Sequence, residues 1–253
     1  MKQMIKLGVT FSYGLMLFLN GLANTLPING QTTGQISDRY ENLFAPAGLT
    51  FSIWGLIYIF LGVYVYLVWK DEGESQNVGR QKLFILSSLL NGAWILSWHY
   101  DALLLSLLIM LGLLVTLIIL VLSIDQKNTI IRVIFHTYVG WITVATIANV
   151  TIYLVSLQLS FLQSDDLWTV FILWVGVILG ILTAYRLKSV TYLLVLSWAY
   201  IGIYIKHQVT FLNAYLNVLT AVSAALVIYA AMSVYLLYPK IKMMINTRQS
   251  SQE

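Results

Sequence analysis

No cysteine occurs among the 253 residues, which excludes a disulfide framework, a thiolate metal site and a cysteine nucleophile. Charge is nearly as scarce. Asp, Glu, Lys and Arg make up 9% of the chain, against roughly 25% in soluble domains, so a water-facing surface cannot be assembled from this material. The three histidines stand in no HExxH-like spacing, and a metal site is therefore unsupported. The formal net charge of +4 is no nucleic-acid footprint, because the basic residues lie between apolar runs rather than in one patch. A small-residue cleavage site is also missing. Asn20-Gly-Leu-Ala-Asn24 leads straight into a polar loop, so the first apolar run reads as a retained helix and not as a removed signal peptide.

What is present is hydrophobic length: 59% of residues are hydrophobic and mean hydropathy is +0.82. Apolar runs fall at residues 7–26, 48–69, 83–100, 102–123, 131–156, 167–186, 189–205 and 211–237. A helical span needs about 20 predominantly apolar residues. The expectation is an all-α, polytopic membrane helix bundle of about eight transmembrane helices, with no soluble domain beside it. Only His99-Tyr100-Asp101 separates the third run from the fourth, and the seventh run is the shortest.

Basic residues test this count, since cytoplasmic loops carry an excess of Lys and Arg. With the N-terminus inside and eight alternating crossings, Arg39 and Lys206 are the two residues outside among 14 Lys and Arg. The expected location is the cell membrane, with both termini cytoplasmic. No Asp or Glu lies mid-span, whereas buried ionisable groups mark proton relays and ion-coupled pathways. A proton-coupled pump is thereby disfavoured; uniport or lipid scrambling is not.

The polar residues inside the spans form stripes. Trp54 and Tyr58 lie one turn apart on the second helix; Asn91, Trp94 and Trp98 share a face of the third; Trp141, Ala145 and Asn149 follow i, i+4, i+8 on the fifth. Two readings stand. In one, Asn bonds a neighbouring helix and Trp fills space beside small residues. In the other, aromatic walls and a few amides line a small-molecule pocket. Trp98 suits either the pocket or an interfacial belt. The polar segment 27–46 is long enough for a lid, with a helical turn near Ser37-Asp38-Arg39-Tyr40, or is a solvated connector.

At these stripes the sequence resembles the TspO/translocator-protein family, also called tryptophan-rich sensory or peripheral benzodiazepine receptor-like proteins. Phe44-Ala-Pro-Ala-Gly-Leu-Thr-Phe-Ser-Ile-Trp-Gly-Leu-Ile-Tyr58 is similar to the family's Pro-rich approach to helix two. Leu90-Asn-Gly-Ala-Trp94 matches LNxxW, and Tyr138 to Asn149 matches YxxWxxxAxxxN. The chain departs from the pattern around Ala47 to Leu49 and at Thr137, where the family usually has Pro. The resemblance covers residues 5–156. It implies a five-helix TspO-like bundle over 1–156, leaving a three-helix membrane extension over 157–240 and a polar cytoplasmic tail over 241–253.

The resemblance further implies a ligand pocket lined by Trp54, Tyr58, Asn91, Trp94, Trp98, Trp141, Ala145 and Asn149, with Trp141 and Asn91 foremost. The implied function is membrane ligand binding or sensing, for a tetrapyrrole or another flat hydrophobic molecule. No cofactor is required, and a porphyrin or haem is a guest. Implied partners are membrane lipid, the small hydrophobic ligand and a second copy in a homodimer, but no nucleic acid. The alternative function is a transporter or channel for a small hydrophobic or uncharged solute. An enzyme finds no acid–base pair or nucleophile–His arrangement within the spans, and only tryptophan photochemistry on porphyrins, by family analogy, keeps that class open. His99, His136 and His207 share no facing mid-depth position for bis-His haem ligation and read as interfacial.

Overall fold

A computed structural model describes residues 2–25, 28–70, 76–158 and 166–249, with 240–249 as backbone alone. Eight long helices dominate it: α1 (Lys2–Thr25), α3 (Ile53–Lys70), α4 (Val78–His99), α5 (Leu103–Leu122), α6 (Thr129–Ser156), α7 (Asp166–Leu187), α8 (Val190–Val209) and α9 (Leu216–Gln249). A short helix, α2 (Thr33–Arg39), lies between the first two, and a 3₁₀ turn over Gly48–Ser52 leads into α3. Local chemistry sets these boundaries. Asn77, Asn128 and Ser189 each accept a hydrogen bond from a backbone N–H three residues on, capping α4, α6 and α8. Asp101 takes a left-handed backbone (φ 59°), a conformation that short polar side chains tolerate, and this closes the tight turn from α4 to α5.

Six of the long helices are long and apolar enough to cross a membrane: α1, α3 with its 3₁₀ lead-in, α5, α6, α7 and α9 to Pro239. The other two, α4 and α8, have comparable lengths of 22 and 20 residues but more polar sequences. Their polar side chains face protein: Ser87, Ser88 and Asn91 of α4 and His207 of α8 are buried. An interior helix can therefore be less apolar than a lipid-facing one. The predicted runs map onto these eight helices, with two differences at the C-terminal end. Residues 211–215 form a turn before α9 begins, and the backbone of α9 continues past Pro239 as far as Gln249, inside the segment read as a tail, whose last residues lie outside the described ones.

Helices α1, α4, α5, α6 and α3 contact one another in that order, and α3 closes back on α1, so five helices make a ring. Helices α7, α8 and α9 pack mutually and lean on α6, chiefly through α8. Small residues permit that closeness, as membrane interfaces require. A Cβ on Gly140 would press on Val195, one on Gly176 would meet the Tyr200 hydroxyl, and one on Gly180 would meet Leu196 and Tyr229. The Gly176–Gly180 pair has GxxxG spacing, and its close face is occupied within the chain by α8 and α9. Arg132 donates to the carbonyls of Leu187 and Lys188 at 2.6 and 3.2 Å, and His136 Nδ1 lies 2.7 Å from Ser189 Oγ. The α7–α8 turn is thus gripped by the start of α6.

Helix ends assigned to one side by the charge count do meet. Trp69 donates to Thr10 at 2.8 Å at one end of the bundle, and Asn217 donates to Asp166 at 2.9 Å at the other. The two basic residues on the minority side are each beside an acid: Arg39 with Asp101 at 2.9 Å and Lys206 with Asp38 at 3.8 Å.

Candidate functional site

The site is a ladder of rings. Tyr58 stacks on Trp54 (5.6 Å between centroids, 19° between planes), Trp54 on Trp94 (6.0 Å, 27°) and Trp94 on Trp98 (6.0 Å, 29°). Trp141 meets Trp54 edge-on at 6.2 Å and Phe51 at 6.0 Å. One-turn spacings on α3 and α4 put Tyr58 beside Trp54 and Trp98 beside Trp94, while the ring of helices brings α6 against them. Offset and edge-on geometries at these distances are the favoured aromatic arrangements.

Against this ladder lies a cavity of about 40 Å³, walled by Trp54, Trp94, Trp98, Trp141, Phe51, Val144, Ala145, Ala148, Asn149 and Ile152 and roofed by Thr33, Ser37, Ala45 and Pro46. Its volume suits a few waters, whereas pockets for small organic molecules run to about 300–1,000 Å³. A macrocycle therefore enters only if the roof moves. No titratable side chain lines the cavity.

Two polar atoms there are buried without a partner: Trp141 Nε1 and Thr33 Oγ1. Most buried polar groups in proteins are hydrogen-bonded, so two orphans on residues that line one small space stand out. The neighbouring groups are already engaged. Asn149 Oδ1 accepts from Ser106 Oγ at 2.9 Å and Trp94 Nε1 at 3.3 Å, while its Nδ2 donates to Ala145 O. Trp98 Nε1 donates to Thr33 O at 3.2 Å. Chemically the cavity offers flat apolar faces, and two of its lining residues, Trp141 and Thr33, carry an unpartnered indole N–H and an unpartnered hydroxyl.

The roof is built from the segment after α1. Thr32 and Gln35 form a reciprocal capping box at the start of α2. Arg39 bonds Gln31 and Asp101, and the Tyr40 hydroxyl donates to Asp101 at 2.9 Å. Burial, then the Asp101 carboxylate beside it, push the Tyr40 phenol above its ordinary value, so it stays protonated and keeps donating. Of the two readings of 27–46, the structure has the ordered helical one, with Ile36 and Phe44 buried beneath it.

Of the residues singled out from sequence, Trp54, Trp94, Trp98, Trp141, Ala145 and Asn149 line this one cavity. Tyr58 stands at the foot of the ladder and lines a neighbouring cleft of about 550 Å³ between α1, α3 and α4, which shares Trp54, Phe51 and Thr33 as a common wall. Asn91 lines neither. It is wholly buried, accepting from Asn20 Nδ2 at 2.8 Å and donating to the Tyr138 hydroxyl at 3.1 Å. The helix-joining role thus describes Asn91, which ties α1 to α4 and α6, while Trp98 sits in the cavity wall rather than in an interfacial belt. The histidines are buried ties rather than surface residues. His99 donates from Nδ1 to Ile95 O, and His207 from Nε2 to Leu43 O at 2.9 Å, carbonyls being acceptors only.

Sequence reasoning missed part of the wall. Val144, Ala148 and Ile152 extend the Trp141–Asn149 face at helical spacing, so the period alone pointed to them. Thr32-x-x-Gln35 is a capping-box pattern before Ile36, and it would have revealed α2. Nothing local marked Thr33 and Ser37 as roof residues.

A family model described as TSPO-like protein matches residues 5–236, and so runs beyond α6 through α7 and α8 into α9. No curated protein and no solved structure matches the chain.

Proposed function

The chain belongs to the TSPO-like protein family and is a multi-pass membrane protein, and from that premise we propose that it binds a flat hydrophobic molecule in the aromatic cavity, with its roof opening to admit it. The observation that carries this reading is the pair of unpartnered buried atoms, Trp141 Nε1 and Thr33 Oγ1, at one cavity walled by stacked rings. A guest carrying one hydrogen-bond acceptor would satisfy the indole and exchange ring–ring for ring–ligand stacking. A tetrapyrrole face suits the walls, but its propionates meet no cation in the lining and must stay outside or be neutral.

The test is saturable quenching of tryptophan fluorescence by protoporphyrin IX and by its dimethyl ester, in detergent-purified protein. The ester should bind at least as tightly as the free acid. Trp141→Phe, which keeps a ring but loses the donor, should weaken binding about tenfold, and Trp174→Phe, at the exposed surface of α7, should not. Equal quenching in all three proteins, or quenching without saturation, would sink the proposal.

Passage of a small uncharged solute is the second reading. Its support is the cleft of about 550 Å³ that reaches the same Trp54 ring from the α1 side, so that a turned Trp54 would join the two spaces. Protein-dependent flux into liposomes without porphyrin binding would favour it over the first. The distribution of Lys and Arg supports a cell-membrane orientation with both termini cytoplasmic.

A further inference from the structure

The cavity roof is held from a distance. Between α2 and α3 the chain runs over residues 40–52, and three of its backbone groups are bonded by α8, about 150 residues later in the sequence. His207 Nε2 donates to Leu43 O at 2.9 Å, the Ala47 N–H donates to Gly202 O at 3.0 Å, and Trp198 Nε1 donates to Thr50 O at 2.9 Å. Ala45 and Pro46, which roof the cavity, lie between the first two attachments, and Phe51 of its wall follows directly after the third.

Contact at Gly202 is closer still. A Cβ there would collide with the Thr50 side chain and come within 2.9 Å of the Thr50 Cβ, so glycine at this position lets α8 seat against the 3₁₀ turn. Helix α8 is itself fixed by its neighbours. Tyr200 donates to Leu173 O of α7 at 2.7 Å and packs edge-on against Tyr229 of α9 at 5.2 Å, while Tyr192 donates to Thr143 of α6 at 3.1 Å. From the α4–α5 side, the segment that carries the roof is held by Trp98 to Thr33 O, by Asn29 to His99 O at 3.1 Å and by the exposed Asp101 cluster. Exposed ion pairs contribute little.

We propose that α8 is the positioning element of the cavity roof, with Trp198, Gly202 and His207 setting how readily residues 43–51 lift, so that α7–α9 govern access to a site whose walls belong to α3, α4 and α6. This rests on the reading that the cavity admits its guest by opening, and it gives the three C-terminal helices a task.

Hydrogen exchange read by mass spectrometry on the full chain in nanodiscs tests it without any ligand. Trp198→Phe keeps bulk but removes the donor, and should speed exchange of the 43–51 amides about fivefold. Gly202→Ala should speed it further, and adding Thr50→Ala, which removes the two nearest clashing atoms, should return most of the protection. Amides of α5 should be unaffected, which separates a local lift from global loosening, and Trp174→Phe serves as the control. Unchanged 43–51 exchange in both single variants overturns the proposal, as does faster exchange that spreads equally to α5. The association rate of protoporphyrin dimethyl ester should rise by the same factor as the exchange; a raised exchange with an unchanged rate would remove the roof as the route in. Should the unaltered protein take no porphyrin at all, the ligand reading fails while the exchange pattern still decides the role of α8.

Discussion

Trp141 and Asn91 resemble each other in sequence, each a polar-capable residue on an aromatic stripe, and differ in what the folded chain asks of them. The Trp141 indole N–H is buried and unpaired, so removing it costs the empty protein nothing in hydrogen bonds. Trp141→Phe should leave the thermal midpoint in detergent unchanged or slightly higher, within about 1 kcal/mol; a large destabilisation would show that the N–H has a structural partner. Asn91 is the opposite case. Its amide joins Asn20 to Tyr138 across three helices, and Asn91→Ala would take one buried hydrogen bond from each, leaving Asn20 with its bond to Met16 O, at a cost of about 2 kcal/mol. A variant as stable as the original would refute that linking role. The sequence could not separate the two residues because both share helical spacing with tryptophans; the difference lies in which neighbour α1 and α6 present.

Among the α-helices, α2 is the shortest, with Ile36 its one buried hydrophobic residue, and it leans on its polar ties. Thr32→Ala removes one half of the capping box, worth about 1 kcal/mol. It should raise amide exchange across 33–39 while α4 stays protected; protection retained there would mean that packing of Ile36 alone holds the helix. The walls of the site were legible because each comes from one helix at a fixed period: Trp54 on α3, Trp94 and Trp98 on α4, Trp141 through Asn149 on α6. The roof was less so. Its helix had a local signature in Thr32 and Gln35, but its position over the cavity depends on bonds to Asp101, Gly202 and His207, partners that no periodicity can reveal. Helices α4 and α8 show the same limit from another side, for their polar residues are affordable only because the fold buries them against protein.

For the whole molecule, alternation of the helices and clustering of basic ends go together, and reporter fusions can read the result. Alkaline phosphatase joined after Phe211 should be active and after Lys127 inactive, with a C-terminal fusion inactive as well; activity at Lys127 would invert or break the proposed orientation. Between α3, α6 and α8 the bundle leaves an open groove of about 530 Å³ that Trp198 helps to line. The ring ladder from Tyr58 through Trp54 and Trp94 to Trp98 has an optical consequence. Indoles stacked about 6 Å apart share their electronic transitions, and such coupling produces a paired positive and negative band in near-ultraviolet circular dichroism. A guest that slides between the rings must break that coupling, so the protein carries its own unlabelled signal for the moment when the site is occupied.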